Sequence, residues 1–156
     1  MAEHGHRRDE RGVVAGLSMT TNEVYFTIPG KVIPKARPRV VNGHAYTPQR
    51  THDYEERVRL SYYKAVGKRR FRDGVPLTVY IEARFAIPKN TPKKRVQEMD
   101  GSLYMGRPDC DNIAKSVLDA LNGVAFADDS QVASLVVVKK RALKPSVYVR
   151  IGQVYE

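Results

Sequence analysis

Several things are scarce in this sequence, and each scarcity excludes something. Among 156 residues there is one cysteine, Cys110, and no tryptophan. A single thiol rules out an intramolecular disulfide framework and fits a reducing compartment. No run is long and apolar enough to span a bilayer. The N-terminus lacks the continuous apolar core and cleavage pattern of a signal peptide. The expected location is therefore the cytoplasm, with no membrane role. Acids are also in short supply, 17 Asp and Glu against 27 Lys and Arg, for a formal net charge of +10. That excess favours a polyanionic partner; nucleic acid comes before a membrane surface because no long amphipathic basic helix is evident. Neither internal repeats nor a linker divide the chain. The length is that of about one domain, and with 42% apolar residues it can bury a core without staples.

What is present is concentrated in one stretch, Arg107 to Lys115 (RPDCDNIAK), with an echo at Asp128-Asp129. Asp109 and Asp111 are two apart, so an extended segment would place both carboxylates on one side and turn Cys110 inward as a small hydrophobe. With no histidine near it in sequence, Cys110 is a poor candidate for thiol catalysis. A helix is predicted over about Asn112 to Asn122, putting Lys115 one turn beyond Asp111. Carboxylates converging from two loops suit a hard divalent cation such as Mg²⁺, which takes oxygen ligands. A lysine beside them can balance charge or stabilise a phosphoryl transition state. In a basic protein this combination points to metal-dependent phosphodiester cleavage. Helix capping would explain one of these aspartates, but not two aspartates, a one-turn lysine and a second acidic pair.

The rest of the chain supplies a scaffold. Residues 1 to about 20 are polar and aperiodic and are expected to form a disordered tail, with Met19 an alternative start and residues 21–156 the folded domain. Val24 to Pro29 reads as a strand. The prolines in KVIPKARPRV keep residues 31–40 extended, with Lys35, Arg37 and Arg39 alternating to one side as a phosphate-tracking arm. Asn42-Gly43 signals a turn into a short strand at HAYTP. A helix capped by Thr51 or Asp53 runs to about Lys68 on an apolar stripe of Tyr54, Val58, Tyr62 and Val66. It closes on a basic tract that includes Arg69 and Arg70. Leu77 to Pro88 is the clearest strand. A basic loop follows, with Lys89, Lys93, Lys94 and Arg95, containing at most a helical turn. On the central helix Ile113, Val117, Leu118 and Leu121 form the buried stripe, leaving Asp111, Lys115 and Asp119 accessible. Strands at Val132 to Lys140 and Ser146 to Ile151 are joined by a basic turn over Lys139 to Lys144. The expected fold is one α/β (α+β) domain, a mixed sheet with two main helices packed on it.

The string RPDCDNIAKSVLDALNG followed by FADDSQV, with KARPR and YTPQRT upstream, resembles the RusA-like Holliday junction resolvases over about Val24 to Ile151. The resemblance implies a RusA-like fold and a homodimer acting on four-way branched DNA in recombination and repair. It also implies a bacterial or prophage setting and no small-molecule cofactor. It places metal ligands at Asp109, Asp111 and Asp129, leaves Asp128 as an additional candidate, and makes Lys115 the essential lysine, with Mg²⁺ as the metal and Mn²⁺ able to substitute. Asn112 and Asp119 match positions that serve architecture. DNA contacts are expected from Lys35, Arg37, Arg39, Arg69, Arg70, Lys89, Lys93, Lys94, Arg95 and Arg107. Two other readings compete: a protein that binds branched DNA without cutting it, and a nuclease preferring flaps or forks.

Overall fold

Strict alternation builds the centre of the sheet. The strand β4 (Leu77–Ala86) buries Leu77, Val79, Ile81, Ala83 and Phe85 while Thr78, Tyr80, Glu82 and Arg84 stay half-exposed on the other face. The computed structural model describes residues 20–154. Around β4 the sheet runs in the order β1–β6–β4–β5, with β1 spanning Thr20–Pro29, β5 Val132–Ala142 and β6 Ser146–Val154. The strand β6 is antiparallel to both β1 and β4, whereas β4 and β5 are parallel. A parallel pair needs a long crossover; here it carries α2 (Lys93–Met99) and α3 (Cys110–Leu121).

Helix α1 (Gln49–Val66) packs on β1, and α3 packs on α1 and β5, so both long helices share one face of the sheet. Their stripes are those expected from the periodicity: Tyr54, Val58 and Tyr62 from α1, and Ile113, Val117, Leu118 and Leu121 from α3. Tyr54 and Tyr62 are core residues, and Tyr62 meets Phe26 edge-on at 5.5 Å. The result is a single α+β domain with a mixed sheet, as the sequence led one to expect.

Each departure has an identifiable cause. Helix α1 starts at Gln49, ahead of Thr51 and Asp53, behind Pro48, which makes no side-chain cap; proline's fixed φ suits the start of a helix. The basic loop after β4 contains a genuine helix, α2, none of whose residues is buried. The strand β5 continues to Ala142, so most of the expected basic turn is strand. There Ala86 pairs Ala142 on one side and Leu103 bridges Lys140 on the other, and those tertiary hydrogen bonds override the local charge pattern. Helix α3 begins at Cys110, two residues early. Period-two alternation therefore does not apply at Asp109 to Asp111, and Cys110 is exposed rather than turned inward. Of the tail expected over residues 1 to about 20, residues 1–19 lie outside the described residues, and Thr20 opens β1, which starts ahead of the expected Val24. Among the described residues no helix is long and apolar enough to cross a membrane.

Candidate active site at the two ends of helix α3

The loop Tyr104 to Pro108 delivers Asp109 to the start of α3, and the fold fixes it firmly. Tyr104 stacks on Phe85 at 4.3 Å between ring centroids. Gly106 lies against that ring, where a Cβ would fall 2.2 Å from the Tyr104 hydroxyl oxygen, so no side chain fits there without moving the ring. The Lys139 ammonium donates to the Gly106 carbonyl at 2.7 Å and to the Pro108 carbonyl at 3.2 Å, and the Arg107-Pro108 peptide is cis. Asp109 then occupies the N-cap position of α3, yet its carboxylate makes no cap hydrogen bond. Asp111 in the first turn and Lys115 one turn on are both exposed.

The second acidic pair is built differently. Asp128 accepts from the Ser130 amide, and Gln131 closes a reciprocal capping box over a short 3-10 turn, Asp129–Gln131. Hydrogen bonds from the Ser130 hydroxyl and then its amide hold the Asp128 carboxyl below the usual carboxylate range. The Gln131 amide also donates to the Arg72 and Val75 carbonyls at 2.9 and 3.2 Å, which ties this turn to the chain after α1. Asp129 takes no part in the cap. Partial burial, then the charges of Asp128 and Asp119, push its carboxyl up.

The two pairs do not meet within one chain. From Asp111 to the end of α3 at Leu121 the helix rises about 15 Å. Cys110 touches the Val137 carbonyl, and the five residues of β5 back to Val132 span about 16 Å in the same sense. Asp109 and Asp111 thus stand at one end of α3, and Asp128 and Asp129 at the other. Among the described residues no group of three or more His, Cys, Asp or Glu side chains is placed to hold one metal ion. The donor chemistry, carboxylate oxygens open to water, is what a hard divalent cation takes, but a single chain offers it as two separate pairs.

Basic residues flank both ends. The backbone amide of Lys35 donates to the Asn112 carbonyl and Ser116 donates to Ile33, so residues 33–35 run along α3 towards its N-terminus and lead Arg37 and Arg39 to the Asp109 end, where Arg107 also lies. The Phe71 amide bonds to the Ala125 carbonyl, which puts the tract with Arg69 and Arg70 near the Asp129 end. Arg70 is paired with Asp73 at 3.0 Å and Arg69 donates to Asn22. Lys89, Lys93, Lys94 and Arg95 are exposed on and before α2. Lys35 departs from expectation: it is half-buried, with its ammonium on Glu55 and 3.4 Å from Asp119, clamping α1 to α3 instead of facing outward. Proline-imposed alternation placed it with Arg37 and Arg39, but the acids waiting on two helices draw it inward.

Sequence reasoning missed Lys139, Gly106, Glu55 and Gln131 as supports of this site. Only Gln131 left a signal, the Asp-x-x-Gln spacing of a capping box; the others act across the fold.

These features define a class, a small basic α+β domain that presents carboxylates and arginines around one exposed helix face. Residues 29–152 match the family described as Endodeoxyribonuclease RusA. The chain is also 31% identical over 142 residues to the uncharacterized protein YqaN of Bacillus subtilis (strain 168), covering 84% of this chain and 96% of that one. The protein belongs to the RusA endodeoxyribonuclease family.

Proposed function

We propose that this protein is a metal-dependent, structure-selective endodeoxyribonuclease that resolves four-way DNA junctions by paired symmetric nicks, acting as a homodimer in the cytoplasm of a bacterium or encoded by a phage. The observation that carries the reading is the freedom of its carboxylates. Asp109 sits where a helix invites a cap and makes none, Asp111 is exposed one turn in, and Asp129 is left out of a cap that Asp128 completes. Asp109, Asp111 and Asp129 would hold Mg²⁺ or Mn²⁺, which when bound supplies an activated water and neutralises charge on the scissile phosphate. Lys115, on the same helix face as Asp111, steadies the developing phosphate charge. Arg37, Arg39 and Arg107 bind the backbone beside the Asp109 pair.

The separation of the two pairs favours the dimer. The sheet ends on β5, and Leu103, Met105 and Leu135 expose apolar surface beside that edge. Two copies meeting there about a two-fold axis perpendicular to β5 would run those strands antiparallel, which turns the Asp129 end of each towards the Asp109 end of the other. Two such sites related by symmetry suit two nicks in a junction.

The test is cleavage of a mobile four-way junction, with and without Mg²⁺, beside linear duplex and a flap. Paired nicks only with metal, lost in Asp109→Asn and Asp111→Asn while junction binding persists, are expected. Tight binding without nicks in any divalent metal would mean a DNA-binding protein without nuclease activity. Preferential flap cutting would mean a different nuclease.

A further inference from the structure

We infer that the hairpin β2–β3 is a wedge that enters the branch point and unstacks bases there, and that it, rather than the basic arm, confers the preference for branched over linear DNA. The inference rests on the branched-DNA reading above. Strands β2 (Arg39–Val41) and β3 (His44–Tyr46) form a two-stranded sheet of their own, exposed along its entire length. Its turn is Asn42-Gly43 with φ of 51° and 78°, the positive pair that a tight two-residue hairpin needs. A ribbon that packs on no core is marginal in water, and this one nevertheless exposes apolar side chains, Val41 beside the turn, Val40 on the opposite face and Tyr46 at the open end. Val40 is 70% exposed, Val41 53% and Tyr46 45%.

Charge names the partner. Apart from Lys35, which is held by Glu55 and Asp119, residues 31–50 contain Lys31, Arg37, Arg39 and Arg50 and no acid, a composition that attracts phosphate. Register places Arg39 and Tyr46 opposite each other at the open end of one face, and Val41 and His44 opposite each other on that face beside the turn. Position fits as well. Lys35 is bonded to the first turn of α3, and four further residues, about 14 Å at full extension, reach the hairpin. The ribbon is therefore rooted beside Asp109 and Asp111. Apolar side chains inserted between base steps are a known way to kink DNA, and the cost of unstacking is least where bases are already poorly stacked, as at a branch. Phosphate contacts carry no such discrimination.

The experiment uses the full chain in metal-free buffer, so that DNA stays whole, with a four-way junction bearing 2-aminopurine at its centre and a linear duplex of the same composition. Wild type is expected to bind the junction more tightly and to raise 2-aminopurine fluorescence. Val40→Ser with Val41→Ser should lose the fluorescence change and about tenfold or more of junction affinity, while duplex affinity and its salt dependence stay unchanged. Tyr46→Ser, a single exposed change, should move both readouts the same way and carries the test if the double variant fails to fold. Retained preference and fluorescence in both variants overturn the inference, as does an equal loss on duplex. A variant that sediments as a smaller species than wild type also overturns it, since the ribbon would then join two copies of the chain. Wild type that binds the two DNAs equally refutes the branched-DNA reading itself, and the wedge with it.

Discussion

Replacing Lys35 with methionine separates a structural lysine from a DNA-binding one. Its ammonium touches Glu55 on α1 and lies 3.4 Å from Asp119 on α3, with side-chain exposures of 23%, 13% and 26% for Lys35, Glu55 and Asp119. At that distance, in an effective dielectric of about 20, two charges attract by about 5 kcal/mol, and desolvation of partly buried ions takes back most of it. Removing the cation alone leaves Glu55 and Asp119 facing each other, with Asp129 adding its charge near Asp119. We expect Lys35→Met to cost about 2 kcal/mol, between the roughly 0.5 of a surface pair and the roughly 3–5 of a broken buried one. For a chain of this size that is a drop in Tm of about 4–8 °C. Lys35→Met with Glu55→Gln and Asp119→Asn should recover most of the loss, because no charge is then left unpaired. Fluorescence-detected thermal melts at pH 7 measure both. A loss below about 1 °C would refute the clamp and return Lys35 to the surface-pair class. The salt dependence of junction binding supplies the second arm. Its slope should be unchanged in Lys35→Met and shallower by about 2 in Arg37→Gln with Arg39→Gln, one per phosphate contact removed.

Asp129→Asn should abolish junction cleavage and leave Tm equal or slightly higher, since repulsion from Asp128 and Asp119 is relieved, whereas Asp128→Ala should lower Tm by removing the cap and only weaken cleavage; nicking assays beside melts would assign the ligand to Asp128 if the pattern reverses. Gly106→Ala should displace the Tyr104 ring from Phe85, lower both Tm and cleavage, and leave the salt slope intact; a variant with wild-type Tm would show that the loop tolerates a side chain. Desolvation pushes the Glu82 carboxyl up, but hydrogen bonds from Arg84, Lys140 and Tyr80 outweigh it and hold the carboxyl below its ordinary range. A depressed carboxylate contributes stability above its unfolded pKa that is lost as pH falls through the folded one. Glu82→Gln should therefore lower Tm at pH 7 and lose its effect as the pH falls through the lowered range of the folded carboxyl, and an effect independent of pH would contradict that origin.

Much of the fold is written locally. The alternation in β4, the helical stripes of α1 and α3, the Asn42-Gly43 turn and the stop at Asn122-Gly123 follow from side-chain periodicity and backbone preference, which neighbouring residues fix among themselves. The acidic pattern was equally legible, two aspartates, a lysine one turn on and a second acidic pair, although the structure gives Asp128 of that pair a capping role. Other features were not local and stayed hidden. Cys110 turned outward because the helix began two residues early, Lys35 turned inward because Glu55 and Asp119 converge from different helices, and β5 absorbed a basic segment because β4 and Leu103 offered it hydrogen bonds. The sequence by itself determined which side chains carry charge and which stripes must be buried. Only the tertiary structure decided that α3 stands as a spacer between its two acidic pairs, because distance across a fold is set by packed elements and not by spacing along the chain.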